Sequence, residues 1–230
     1  MTQFAQALQQ VRSKLDAAAQ AAGRPVQDVQ LLAVSKTFPA EAIREVYAAG
    51  QRAFGENYVQ ELQSKCQQLA DLAIEWHFIG PLQSNKSRIV AELAHWVHSV
   101  DRLKIAERLS AQRPATLPPL NVCIQVNVSG EDSKSGCAPQ DAPALLRAVA
   151  ALPGLRVRGL MCIPEPTPDP ALLAARFAVL RQLQQQMAAE GMVLDTLSMG
   201  MSADMAQAVA AGSSMVRVGT AIFGARHYPA

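Results

Sequence analysis

The chain has 230 residues, of which half are hydrophobic and 17% are charged, and its net charge is +2. This balance of charges gives no indication of a nucleic-acid surface, and the length suits one α/β barrel or one doubly wound domain. The four cysteines stand far apart without a CxxC pair, which argues against a zinc site or a disulfide framework and suits a reducing cytoplasm.

The N-terminal segment MTQFAQALQQVRSKL is predicted to form an amphipathic helix. Phe4, Leu8, Val11 and Leu15 recur in it at helical spacing. The segment has no apolar signal core, and no later apolar run approaches membrane-spanning length. We therefore expect a cytoplasmic protein without a membrane segment.

Eight short apolar runs are predicted to form strands. They cover residues 30–36, 52–57, 75–80, 95–101, 121–128, 156–163, 195–200 and 214–220. Helical patterns lie between nearly all of them, including residues 40–50, 139–152, 169–191 and 202–212. Ser202 is the predicted N-cap of the last of these helices. The predicted C-terminal glycines are Gly50, Gly191 and Gly212.

The alternation of strands and helices predicts a parallel sheet, because parallel neighbours need a crossover connection that a helix supplies. Eight such units in about 200 residues predict a closed (β/α)8 barrel with an extra N-terminal helix. Without a shift in composition, we expect one domain over residues 1–230. A doubly wound open sheet is the competing fold, but no GxGxxG follows the first strand.

The run QLLAVSKTFP, residues 30–39, ends its apolar stretch at a lysine. Side chains alternate along a strand, so Leu32, Val34 and Lys36 share one face. If that face is the barrel interior, Lys36 is a partly desolvated amine that is suited to attack an aldehyde. On this stretch alone, a solvated lysine at a strand end is the simpler interpretation.

Two loops near the end of the chain are rich in glycine and hydroxyl side chains. LSMGMSADM contains the end of the seventh predicted strand, and VRVGTAIFG contains the end of the eighth. Barrels form phosphate sites from the loops after these two strands, with backbone amides as donors. The pattern indicates a phosphate site, although capping and turn chemistry explains each residue singly. The residues concerned are Ser198, Gly200, Ser202, Gly219 and Thr220.

Arg217 lies in the apolar strand MVRVG, two residues before Gly219 and on the same predicted face. A buried guanidinium needs an acceptor, which an aromatic nitrogen or a carboxylate of a bound molecule supplies. The structural alternative is a salt bridge to a neighbouring acid such as Glu56. Together with the lysine and the phosphate loops, Arg217 indicates pyridoxal 5′-phosphate (PLP), which carries an aldehyde, a phosphate and a pyridine nitrogen on one ring.

Eight motifs, in order along the chain, resemble the YggS/PROSC family of pyridoxal phosphate homeostasis proteins. They are LLAVSKTFP, FGENYVQEL, EWHFIGPLQSNK, HSVD, VNVSGEDSKSGC, GLMCIP, LSMGMSADM and VRVGTAIFGAR. The resemblance covers residues 5 to 226. It implies a single barrel similar to the N-terminal domain of alanine racemase, the fold type III of PLP proteins.

The resemblance also implies roles for individual residues. It implies an internal aldimine between the cofactor and Lys36, with Asn57 near the ring and Arg217 facing the pyridine nitrogen. The implied phosphate ligands are Ser198, Gly219 and Thr220, and Gly200 and Ser202 belong to the same motif.

Three further residues lie in motifs of the resemblance. His77 is in the middle of a predicted strand, where we expect a hydrogen-bonded core histidine rather than a catalyst. Lys134 and Gly136 lie in a predicted loop at the barrel mouth, where a gate and a solvated turn explain them equally well.

The resemblance implies a non-enzymatic protein that holds PLP, buffers its free concentration and acts in vitamin B6 homeostasis. Expected partners are PLP and, transiently, PLP-dependent apo-enzymes, and the expected state is a monomer. Arginine is a poor proton donor to the pyridine nitrogen because its pKa exceeds about 12, which restrains carbanion chemistry. Racemases draw a second proton carrier from an additional β domain, and we expect none here because the chain ends directly after the barrel.

Other functions explain part of the pattern. A slow PLP-dependent amino-acid racemase or decarboxylase is the main alternative. A cofactor-free aldolase would use Lys36 as its Schiff-base residue, but such barrels usually carry their lysine on a later strand. A purely structural module leaves Lys36, Arg217 and the phosphate loops unexplained together.

Overall fold

The fold is a closed barrel of eight parallel strands that pair in chain order, with the last strand paired to the first. A computed structural model describes residues 2–130 and 135–225. The strands are β1 (Gln30–Val34), β2 (Ala53–Glu56), β3 (Glu75–Phe78), β4 (Trp96–Val100), β5 (Leu120–Gln125), β6 (Leu155–Met161), β7 (Thr196–Ser198) and β8 (Met215–Val218). All eight predicted strands are confirmed, and each ends a little earlier than predicted because the chain leaves the ladder to form a loop.

Helices connect consecutive strands, and one further helix precedes β1, so the predicted (β/α)8 barrel with an extra N-terminal helix is confirmed. The helices are α1 (Gln3–Ala21), α2 (Ala40–Ala48), α3 (Val59–Gln68), α4 (Ser87–Leu93), α5 (Leu103–Gln112), α6 (Ala142–Ala150), α7 (Pro170–Ala189), α8 (Met205–Ala210) and α9 (Thr220–Phe223). Within the two described ranges, no helix is both long and apolar enough to cross a bilayer.

The ends of several helices follow local sequence signals. At the start of α7, the Asp169 carboxylate accepts a hydrogen bond from the Ala171 N–H at 2.8 Å, which satisfies one of the free amides of the first turn. The predicted C-terminal glycines Gly50, Gly191 and Gly212 all have positive φ. Glycine suits this position because a Cβ disfavours the left-handed backbone.

The predicted N-cap Ser202 is wrong, because α8 begins only at Met205. The Asp204 carboxylate accepts the Met201 N–H, and residues 202–204 form a turn before the helix. This hydrogen bond closes a turn over residues 201–204 ahead of the helix. The turn therefore leaves Ser202 in a loop at the end of the barrel.

Apolar side chains fill the layer between strands and helices and form part of the barrel interior. The interior contains two separate clusters, and Cys123 belongs to the second of them while Cys162 lies in the outer layer. Both thiols are fully buried and pack in the core as small hydrophobic side chains. The first interior cluster is Leu32, Val34, Ala53, Ile79 and Met215, and the second is Trp96, Cys123 and Met161.

The N-terminal helix α1 is an integral part of the packing. Leu8, Val11 and Leu15 are buried as their helical spacing predicts, and α1 packs against α2, α8 and α9. The ring of Phe4 lies 5.9 Å from that of Phe223 in α9. Burying each of these large side chains contributes about 1.5–3 kcal/mol, so α1 stabilises the end of the barrel that carries the last loop.

Gly80 allows the chain after β3 to approach the end of β2. A Cβ at residue 80 would lie 2.0 Å from the carbonyl oxygen of Asn57, a predicted site residue. We expect Gly80→Ala to lower the free energy of unfolding by about 2–3 kcal/mol, because the two backbones must separate. Urea unfolding measures the change.

The control for this prediction is Gly23→Ala. No atom lies within 4 Å of the Cβ added at residue 23, although its φ is +65°. Its cost is therefore that of the left-handed backbone alone, about 1 kcal/mol. Equal losses for the two variants would contradict the steric role of Gly80.

Candidate cofactor-binding site

A cavity of about 230 Å³ lies at the carboxyl ends of the strands, where barrels carry their functional residues. Five of the seven predicted site residues line it: Lys36, Asn57, Arg217, Gly219 and Thr220. The other lining residues are Val34, Ile79, Ile163, Met201, Ser202 and Ala203. The cavity therefore combines an amine, a guanidinium and two polar loops with an apolar wall.

Lys36 lies two residues beyond the end of β1 and lines the cavity. Leu32 and Val34 point into the barrel interior, so the alternation along β1 brings Lys36 to the open end of that interior. Lys36 is partly buried, in contrast to a fully solvated lysine at a strand end. The structure therefore favours the site interpretation of this lysine.

Four residues of the two polar loops offer backbone donors to the cavity. The N–H groups of Ser202, Ala203, Gly219 and Thr220 donate to no acceptor within residues 2–130 and 135–225. Successive unpaired amides in loops form concavities that bind anions. No Asp or Glu of the described chain lines the cavity, so this wall fits an anionic group such as a phosphate.

Arg217 is only 4% exposed and forms the inner wall. Its Nη1 donates to the carbonyl of Ser198 at 2.6 Å and to the Ser198 hydroxyl at 2.8 Å, and its Nη2 donates to the Cys162 carbonyl at 2.8 Å. Glu56, the alternative partner, binds Lys65 at 2.7 Å instead. Burial lowers the pKa of the Arg217 guanidinium, but arginine starts so high that the group remains a cation.

Hydrogen bonds continue from Arg217 through the barrel interior to its opposite end. Ser198 Oγ lies 2.8 Å from His98 Nδ1, and His98 Nε2 lies 2.9 Å from His77 Nδ1. His77 Nε2 lies 2.8 Å from Glu75 Oε1, at the first residue of β3, where the carboxylate side chain is 41% exposed. We call Arg217, Ser198, His98, His77 and Glu75 the interior chain.

One arrangement of protons satisfies the whole interior chain. The hydrogen bond from His77 lowers the pKa of Glu75, so its carboxylate is ionised and only accepts. Burial lowers the pKa of His77 and lowers that of His98 well below its ordinary value, so both rings are neutral. Each ring therefore donates through Nε2–H and accepts at Nδ1, and every bond points from Arg217 towards Glu75.

Asn57 contributes an acceptor that nothing in the described chain uses. Its Oδ1 is buried and receives no hydrogen bond from residues 2–130 or 135–225. A buried polar atom without a partner costs about 1–3 kcal/mol. Because Asn57 lines the cavity, a donor on a bound molecule would satisfy this atom.

Ser198 and Gly200, predicted in the phosphate site, do not line the cavity. Ser198 is fully buried behind Arg217, and its hydroxyl already serves Arg217 and His98. Gly200 lies against α8, where a Cβ would stand 2.5 Å from the Cβ of Ala208, and its carbonyl accepts the Arg217 N–H at 3.0 Å. Phosphate contact by these two residues stays a prediction, and the observed contacts support the site from behind.

Four further residues bear on the sequence predictions. His77 is a fully buried, hydrogen-bonded core histidine, as predicted. His98 received no role from the sequence, although its place between Trp96 and Val100 on an apolar strand marked it as a buried polar residue. Lys134 lies outside the described residues, and Gly136 does not line the cavity.

The barrel is of the class represented by the N-terminal domain of alanine racemase. The family model described as "Alanine racemase, N-terminal domain" matches residues 7–227. Alanine racemase from Corynebacterium glutamicum has the same fold, with a TM-score of 0.69 and 18% sequence identity over 94% of this chain and 61% of that chain.

Relatives of higher identity carry a more specific name. The pyridoxal phosphate homeostasis protein of Pseudomonas aeruginosa is 61% identical over 230 residues, which are 100% of this chain and 99% of the relative. The structure of PipY from Synechococcus elongatus with PLP bound has a TM-score of 0.83 and 42% identity, over 96% of this chain and 100% of that chain. The chain belongs to the family of pyridoxal phosphate homeostasis proteins, as its motifs implied.

The interior chain predicts the protonation states of two histidines. We expect His77 and His98 to stay neutral, with the proton on Nε2, at a pH where an ordinary histidine takes up a proton, because burial lowers the pKa of both rings. Since only the unfolded chain binds protons at these sites near pH 6.5, their contribution to stability falls as the pH drops through that value.

Long-range ¹H–¹⁵N NMR distinguishes the two neutral tautomers and follows their titration. His98→Asn assigns the resonances. A proton on Nδ1 of either ring, or a titration of either ring at or above the pH at which an ordinary histidine titrates, would contradict the arrangement.

Proposed function

We propose that this chain binds PLP in the cavity at the carboxyl ends of the strands and acts in PLP homeostasis. The observation that carries the proposal is that Lys36, Arg217 and the unpaired amides of two loops line one cavity. Two relatives support it: the one from Pseudomonas aeruginosa is named for PLP homeostasis, and PipY binds PLP.

We assign the reactive end of the cofactor to Lys36. When bound, PLP supplies an aldehyde that condenses reversibly with amines. Lys36 supplies the amine and holds the cofactor as a Schiff base. Arg217 faces the pyridine nitrogen as a donor, and the buried Asn57 Oδ1 accepts from the ring hydroxyl.

We assign the phosphate to the two polar loops. The unpaired N–H groups of Ser202, Ala203, Gly219 and Thr220 are donors that an anion satisfies. Arg217 adds positive charge to the same cavity. Ser198 and Gly200 hold the Arg217 side chain and backbone, which keeps this wall in place.

We infer that the chain holds PLP without robust catalytic activity. Among the lining residues of the described ranges, Lys36 is the only side chain whose ordinary pKa lies below about 12, and Arg217 keeps its proton. The phenol of Tyr58, the residue after Asn57, lines a neighbouring cavity instead. Two-base chemistry needs a second proton carrier within reach of the reacting carbon, and these residues supply none.

We further propose that the chain works as one domain over residues 1–230, as a cytoplasmic monomer that passes PLP transiently to apo-enzymes. Reversible attachment through Lys36 suits this role, because a free aldehyde reacts with amines in general. The four widely spaced thiols suit the reducing cytoplasm.

The proposed covalent attachment of PLP to Lys36 leads to a first prediction for function. After incubation with PLP and reduction by borohydride, we expect mass spectrometry to find a pyridoxyl adduct on Lys36. The adduct should be absent from Lys36→Met and present in Lys14→Met, which changes an exposed lysine of α1. A main adduct on another lysine would contradict the assignment of Lys36 as the attachment residue.

The proposed lack of robust catalytic activity on amino acids leads to a second prediction. We expect chiral chromatography to find neither D-amino acids nor decarboxylated amines after incubation of the PLP-loaded protein with a panel of L-amino acids. Turnover at an ordinary rate of about 1–10 s⁻¹ that disappears in Lys36→Ala would establish the racemase or decarboxylase alternative instead.

A further inference from the structure

The turn that carries Lys36 has an unfavourable backbone conformation. Thr37 has a φ of +68°, and no other non-glycine residue within the described ranges has a positive φ. Such a conformation persists only where the surrounding structure fixes it. The contacts that fix this turn therefore decide where the Lys36 side chain lies.

The residues on both sides of Lys36 are held by charged side chains of α3. Lys65 Nζ donates to the carbonyl of Ser35 at 2.9 Å, and Glu61 Oε2 accepts the N–H of Thr37 at 2.8 Å. Lys65 and Glu61 also bind each other at 2.7 Å. The two members of one ion pair therefore form hydrogen bonds with the backbone immediately before and immediately after Lys36.

A second carboxylate completes this cluster. Glu56, at the end of β2, accepts from Lys65 at 2.7 Å and from the Ser35 hydroxyl at 2.6 Å. Glu56 and Lys65 are both buried, and burial raises the pKa of Glu56 to about 7 against the opposing effect of Lys65. We call Glu56, Glu61 and Lys65 the clamp.

The clamp lies outside the cofactor cavity. None of its three residues lines that cavity, whereas Glu61 and Lys65 line a separate cavity of about 370 Å³ on the other side of the turn. On the side of α9, the ring of Phe38 stacks on that of Phe223 with centroids 5.2 Å apart. A change in the clamp therefore acts on the turn of Lys36 without removing any group that lines the site.

We propose that Lys65 and Glu61 are positioning residues that keep the Lys36 amine at the aldehyde, so that they control covalent capture of PLP but not binding of its phosphate and ring. The inference rests on the proposed function.

Capture is a condensation in which the Lys36 nitrogen forms a C=N bond to the aldehyde carbon. The aldehyde oxygen leaves as water with two protons of the Lys36 ammonium, the third proton stays on the nitrogen, and nothing is oxidised or reduced. The reacting atoms must first lie about 3–3.5 Å apart in the right direction. A turn that relaxes by an ångström therefore weakens capture.

Two ligands separate capture from binding: PLP, and pyridoxine 5′-phosphate, which has an alcohol in place of the aldehyde and forms no C=N bond. We expect Lys65→Met to weaken PLP binding at least about tenfold and to change pyridoxine 5′-phosphate binding less than about twofold. Calorimetry with both ligands at pH 8, where Glu56 is mostly ionised, measures the two effects.

A second variant covers the case in which Lys65→Met fails to fold, since it leaves two carboxylates without their cation. Glu61→Leu removes the acceptor of the Thr37 N–H and keeps the pair between Lys65 and Glu56, and we expect the same selective loss of PLP binding. The matched controls are Lys104→Met and Glu45→Leu, which make the same changes at exposed positions and should bind both ligands as the wild type does.

The outcomes separate this inference from the proposed function. Equal losses for both ligands, or no loss for either, would overturn the clamp as a positioning device and leave the proposed function intact. A wild-type chain that binds PLP no more tightly than pyridoxine 5′-phosphate, and yields no reducible adduct on Lys36, would overturn the proposed function and this inference with it.

Discussion

The pairing of β8 with β1 is the constraint on which the site depends. In the register of these two strands Leu32 pairs with Arg217, so the chain after β1 and the chain after β8 emerge side by side. In an open sheet with the same strand order, β1 and β8 would be the two edges, and Lys36 would lie far from Gly219 and Thr220. Closure of the barrel therefore creates the cavity.

The site is built around a buried cation that has neutral acceptors. Arg217 binds two carbonyl oxygens and one hydroxyl, and no carboxylate in residues 2–130 or 135–225 forms a salt bridge with it. From the hydroxyl of Ser198, hydrogen bonds continue through two histidines to a carboxylate at the other end of the barrel. Hydrogen bonds aligned in one direction strengthen one another, so the interior chain supports the charge of Arg217 at a distance.

The same features that favour holding PLP restrain its chemistry under the proposed function. A guanidinium at the pyridine nitrogen withholds the proton that would make the ring a strong electron sink. The likeness to alanine racemase, at 18% identity, concerns the fold alone. What the described cavity provides is one amine, one permanent cation and a set of amides, which together suit reversible capture of an aldehyde that carries a phosphate.

The sequence by itself determined the eight strands, the N-terminal helix and the position of Lys36 at the carboxyl end of the first strand. These features depend on alternation and turn chemistry within a few residues, which a local pattern reports. The sequence pattern placed the start of α8 too early, because the Asp204 carboxylate accepts the Met201 N–H in a turn ahead of the helix. Only the tertiary structure decided that Ser198 serves Arg217 and His98, and that Lys65 holds the carbonyl before Lys36. Such contacts join residues up to 100 positions apart, and no local period specifies which side chains meet across a closed barrel.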